Sequence, residues 1–241
     1  MTAENMNLKT RNMPSLSLSD LKSRSSDVVF SLKFVVYLVA IFYGASFALS
    51  NVMAFKVIGI FILGLMFAHG VELQHQVLHN QGFKNRTLNE IVGIILGLPM
   101  LVSFAGYQAS HLRHHKYLGT PQNKEFFDYG DTYGSSKLAS LWLFINRFMM
   151  PSLYWGFLKN VCFALLGRKH ADESPDVSVR INRDYLAMLA AIAVLTIVSI
   201  TLHEAMILQV WLIPLLFVAT PVHALIEMPE HYRCETSSTD P

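Results

Sequence analysis

The chain has 241 residues, of which 52% are hydrophobic and only 15% charged, where a soluble domain of ordinary composition carries about 25% charged residues. A formal net charge of +2 leaves no basic excess to neutralise phosphates, so no nucleic-acid partner is expected. Cys162 and Cys234 lie far apart and form no CxxC pair, which excludes a disulfide framework.

Residues 1–27 are polar and Ser-rich, with Lys9, Arg11, Lys22 and Arg24. They hold no apolar run and read as a disordered cytosolic tail rather than a cleavable signal peptide. A bilayer span needs about 20 predominantly apolar residues. Val28–Leu49 supplies the first, with Lys33 near one end where its ammonium can snorkel. After the turn Ser50–Asn51, Val52 to about Val71 supplies a second. Ile91–Tyr107 is apolar but short, and Gly93, Gly97, Pro99 and Gly106 break it. Leu138–Leu166 carries Asn146, Arg147, Pro151, Lys159 and Asn160 among Trp142, Tyr154 and Trp155, a mixture that suits a helix lying in the membrane interface. Tyr185–Leu202 is the third span, and Ala205 to about Ile226 the fourth, bent by Pro214 and Pro221. The tail over 1–27 is thus followed by a membrane domain over 28–241.

Charge sets the orientation. The connection between the second and third spans holds Arg113, Lys116, Lys124, Lys137, Arg168, Lys169, Arg180 and Arg183, whereas Ser50–Asn51 and His203–Glu204 carry no Lys or Arg. The positive-inside rule places both termini and the long connection in the cytosol. The expected architecture is an all-α, multi-pass integral membrane protein. Its four transmembrane helices form two hairpins, with a re-entrant hairpin and an interfacial helix on the cytosolic side.

The ten histidines are unevenly spread. His75 and His79 are spaced i, i+4 where the second helix leaves the membrane, so both rings leave one face. His111, His114 and His115 form an HxxHH cluster whose i, i+3, i+4 spacing also shares a face. Neutral imidazole is the commonest metal ligand, and five histidines clustered at a boundary point to a shared cation. The two clusters can cooperate only on one side of the membrane. A complete span at 91–107 would separate them, whereas a hairpin broken at Gly97–Pro99 returns the chain to the side it left. Irregular backbone at membrane depth is tolerated where other helices cover it. The same parity brings His231 to the cytosolic face.

The stretch HQVLHNQGFKNRTLNEIVG from His75, followed by SHLRHHKYLGTP from Ser110, resembles the first two histidine boxes of the membrane fatty-acid desaturase superfamily. EMPEHYRCET from Glu227 resembles the segment after the last span of bacterial members. The resemblance implies a non-haem diiron centre on the cytosolic side, with two iron ions and dioxygen as co-substrate. It implies a membrane lipid or acyl substrate and a separate electron donor of ferredoxin or cytochrome b5 type. By position, His75 and His79 match the first box, His111, His114 and His115 the second, and His231 a further ligand of the post-span segment. Outside the boxes, His223 is expected to be packed near the cytosolic end of the fourth helix and His69 to be buried and hydrogen-bonded. His170 and His203 are loop residues with no assigned role. Glu72 either orients a ligand ring or is a plain helix-end carboxylate.

Members of that family carry a third HxxHH box after the post-span segment, and none follows His115 here. The expectation is therefore a C-terminally incomplete domain that, as 241 residues, binds metal substoichiometrically and does not desaturate. Two alternatives stand beside acyl-lipid desaturation: a histidine-box hydroxylase or ketolase of carotenoids or alkanes, and a non-catalytic degenerate paralogue. Transporters fit less well, because their sites gather polar groups at the bilayer midplane.

Overall fold

A computed structural model describes residues 24–117, 137–202 and 205–231, with side chains over 27–117, 141–202 and 205–227. The tail before Arg24, Lys124, the turn His203–Glu204, the His231 side chain and everything beyond it lie outside that description. Among the described residues there are helices and no strands. Four of these helices are long and apolar enough to cross a membrane.

The first two, α1 (Arg24–Ala48) and α2 (Met53–Leu78), pack as an antiparallel hairpin. Their approach depends on Gly59, where a Cβ would stand 2.2 Å from the Ala48 amide nitrogen. Further along, Tyr37 packs on Gly70 and Phe30 meets Phe83 edge to face. The outward faces of α1 and α2 are apolar, with Val28, Val36, Phe42 and Phe61 all more than half exposed, a surface that only lipid or another apolar partner would solvate well.

Helix α2 runs seven residues past the expected Val71, to Leu78, because Gln74, His75 and Gln76 are good enough helix formers to carry the coil out of the apolar block. The segment expected to turn back does so. Helix α3 (Arg86–Gly97) is capped by Asn85, whose side chain accepts from the Thr87 and Leu88 amides. A tight turn over 98–103 leads into α4 (Phe104–Tyr117), and Leu101 there adopts φ 61°. The two arms close on glycines: a Cβ on Gly93 would meet the Phe104 ring at 2.2 Å, and one on Gly97 the Val102 carbonyl at 2.1 Å. The tip of the turn is tied down by Trp211, whose indole N–H donates to the Pro99 carbonyl at 3.0 Å.

The expected single interfacial helix over 138–166 is instead two, α5 (Lys137–Met149) and α6 (Pro151–Leu165). Pro151 cannot continue the preceding helix, since it lacks an amide donor and its ring excludes the residue before it from α geometry. Met150 accordingly turns the chain at φ 50°. The third span, α7 (Pro175–Thr201), starts ten residues before the expected Tyr185. Ser174 caps it and Pro175 occupies its first turn, a start signal independent of hydropathy. The fourth span opens with two π-helical stretches, Ile207–Leu212 and Leu215–Ala219, and finishes as α8 (Thr220–His231). Pro214 separates the π stretches, and the Thr220 hydroxyl donates to the Leu215 carbonyl five residues back at 2.7 Å.

Candidate metal centre

Polar side chains join the two histidine-bearing helices just before the rings. Gln108, one turn ahead of His111, donates to the Leu78 carbonyl at 2.9 Å, immediately ahead of His79. Its carbonyl oxygen accepts from Arg180 at 3.3 Å. Arg180 and Arg183 of α7 both donate to Glu90 of α3 at 2.8 Å. Burial pushes the Glu90 carboxyl up, but the hydrogen bonds from Arg183 and Arg180 outweigh it and hold the group below the usual carboxylate range. Asp184, fully buried, accepts from the Ser103 hydroxyl at 2.9 Å and the Ala105 amide at 2.8 Å, capping α4 from a neighbouring helix. Helices α2, α3, α4 and α7 thus meet in one hydrogen-bonded frame at the end of the bundle where the histidines lie.

Four of the five box histidines meet inside that frame. The His75 and His111 Nε2 atoms are 2.9 Å apart, His79 and His111 3.0 Å, His75 and His79 3.2 Å, and His111 and His115 2.9 Å. His114 is the outlying member, its ring centroid 5.8 Å from that of His111 and 5.7 Å from that of His115. Metal–imidazole bonds of about 2.0–2.1 Å place ligands at right angles about 3 Å apart. The mutual spacing of His75, His79 and His111 is therefore that of one triangular face of an octahedron, and all three could hold one ion. Outside the apolar spans, burial and then the neighbouring imidazoles lower the His111 pKa to about 3. His79 is lowered by the same causes, burial first. Both are thus held as the neutral species that binds metal.

Tyr107 edges onto both His75 and His111, at centroid distances of 6.1 and 5.6 Å. It also lines a cavity of about 360 Å³ whose wall runs from Val71, Met100 and Leu101 to Tyr185, His223 and Glu227. His223, expected to be a packed residue, is buried and faces Glu72 with its Nδ1 4.0 Å from the carboxylate. With Glu227 these form a second group able to hold a metal ion. Sequence reasoning named Glu72 and His223 without joining them and passed over Glu227, although His223 and Glu227 repeat the i, i+4 spacing of His75 and His79. His170, given no role, is a structural residue that contacts the Asn182 side chain at 3.0 Å.

All-α architecture, four apolar helices and two histidine clusters converging from α2 and α4 define a histidine-rich membrane protein. The sequence model of the fatty acid desaturase family matches residues 51–241, most of the chain, and the chain belongs to that family. No curated protein and no solved structure matches it.

Proposed function

We propose that the protein is a dioxygen-dependent acyl-lipid desaturase with a histidine-held diiron centre, its termini and histidines on the cytosolic side. The observation that carries this reading is the convergence of His75, His79, His111 and His115 at metal-ligand spacing within a desaturase-family chain. His114 stands next to this set, and His231 is assigned to it by the family resemblance. When bound, such a centre supplies dioxygen activation. The overall reaction balances as loss of two hydrogens from adjacent acyl carbons, uptake of two electrons and two protons, and reduction of one dioxygen to two waters. The electrons come from a separate carrier of ferredoxin or cytochrome b5 type.

The chain's own residues supply binding and order. Val71, Met100 and Leu101 give the cavity an apolar wall suited to methylene groups. Tyr107 separates that wall from the histidine rings and fixes how closely an acyl carbon approaches them. The turn at Pro99 lies level with Leu63, Phe67 and Met188 of the long helices, which supports a re-entrant hairpin that dips into the bilayer and returns. Basic residues on the connections support the cytosolic placement of the site.

Expression in a host supplied with a reduced ferredoxin, followed by mass spectrometry of total lipids, tests the reading. A new carbon–carbon double bond that is lost in His111→Ala is the expected result. A hydroxylated or oxo product would move the assignment to the alternative oxidations. An unchanged lipid profile with iron fully loaded would overturn the enzymatic reading.

A further inference from the structure

Glu72, His223 and Glu227 lie outside the set that the histidine boxes define. One ligand atom from each falls within 4.8 Å of the others. They come from two helices, α2 and α8, and from the ends of two apolar spans, Met53–Leu78 and Ile207–Glu227. We propose that these three side chains form a second metal site, of one imidazole and two carboxylates, inward of the histidine cluster. This deepens the diiron reading and rests on it for the partner ion.

Three physical points support the assignment. Two carboxylates held this close repel as anions, more so at the edge of an apolar span than in water. One divalent cation neutralises both. The donor set is harder than the all-imidazole cluster and suits Fe²⁺ or Mn²⁺ over softer ions. Finally, Glu72 precedes His75 by three residues on α2, an axial offset of about 4.5 Å at 1.5 Å per residue. Paired ions in two-metal sites stand about 3.5–4 Å apart, so one helix can serve both ions. His223 and Glu227 also line the cavity assigned to the acyl chain, which places open coordination positions of this second ion toward that cavity.

The competing occupant is a proton shared among the three groups, and metal titration separates the two. The full chain in lipid nanodiscs is titrated with Mn²⁺, and bound ions are counted by the loss of the free-ion paramagnetic resonance signal. The unmodified protein should bind two ions per chain with a spin-coupled spectrum. The double variant Glu72→Gln, Glu227→Gln should bind one ion with the coupling gone. The double variant His79→Ala, His111→Ala should lose the other. If the glutamine variant keeps two coupled ions, the proposal is wrong and the histidine reading survives. If only the histidine variant keeps two, the histidine reading fails and this site stands. Should the glutamine variant not fold, Glu227→Asp keeps the charge and should weaken Mn²⁺ binding about tenfold or more with the helical circular dichroism intact. Unaltered affinity in that variant would equally overturn the site.

Discussion

Gln74 joins the re-entrant segment to the helix that carries the first histidine pair, and replacing it isolates that contribution. The residue is fully buried. Its amide nitrogen donates to the Gly93 carbonyl at 2.9 Å and to the Val102 carbonyl at 3.2 Å. Because both acceptors are carbonyls, the amide can face them only with its nitrogen. Its oxygen, also buried, has no hydrogen-bond partner among the described residues. In Gln74→Leu the two hydrogen bonds are lost, at about 1 kcal/mol each, with an added desolvation cost for the two carbonyls. Removing the buried amide oxygen offsets part of this, so the expected loss is about 2–4 kcal/mol. Gln74→Glu should be worse at pH 7. Holding a carboxyl neutral there costs about 3.7 kcal/mol from a reference pKa near 4.3, and the neutral acid can donate to only one carbonyl, which brings the total to about 5 kcal/mol. That excess should fall by about 1.4 kcal/mol for each pH unit of acidification. Unfolding of purified protein by denaturing detergent at pH 7 and pH 5, with both variants on one scale, measures it. Equal stability of the two variants at pH 7, or no recovery of the glutamate variant on acidification relative to the leucine one, would refute the reasoning.

Three further outcomes follow from the same frame. Gly97→Ala places a methyl carbon 2.1 Å from the Val102 carbonyl oxygen, which the backbone turn can relieve only by moving; a loss of about 1–3 kcal/mol or more should appear as a lower thermal midpoint. Asp184→Ala leaves the Ser103 hydroxyl and the Ala105 amide without their buried acceptor and Arg183 without one of its two carboxylates. It should cost about 3 kcal/mol or more and loosen metal binding through α4, whereas Asp184→Asn keeps an acceptor and should do less on both measurements. His111 and His79 titrate well below the usual histidine value in the folded protein and near 6.5 when unfolded. The unfolded chain therefore binds more protons between about pH 3 and 6.5, so metal-free stability is complete above that window and falls as the pH drops into it. Identical thermal midpoints at pH 7.5 and pH 5 in metal-free protein would contradict this.

The long helices were legible because lipid-facing apolar blocks need no tertiary knowledge to be recognised, and the five box histidines because helical spacing puts their rings on shared faces. What escaped has physical reasons. The start of α7 lies in charged sequence, where a serine–proline cap rather than hydropathy marks it. The division of 138–166 rests on one proline and a left-handed Met150, which composition averaged over the stretch hides. The π-helical form of the fourth span has no composition of its own, since the same residues would build an α-helix if packing allowed. Glu72 and Glu227 looked like ordinary helix-end carboxylates because the contact that unites them, through His223, joins residues some 150 positions apart.

The π-helical stretches give the fourth span an unusual sensitivity to length. An α-helix turns by about 100° per residue, and a π turn takes up an extra residue without lengthening the helix in proportion. Removing a single residue between Ile207 and Ala219 would let the coil relax to ordinary pitch and swing everything beyond it by about 100° around the axis. His223 and Glu227 would then point away from α2, although the span would remain apolar and long enough to cross. The helix therefore carries phase as well as reach. A one-residue deletion there leaves insertion into the bilayer intact and misdirects the side chains, while a deletion of equal size in the Ser50–Asn51 turn, upstream of every donor, leaves their relative azimuth on each helix unchanged.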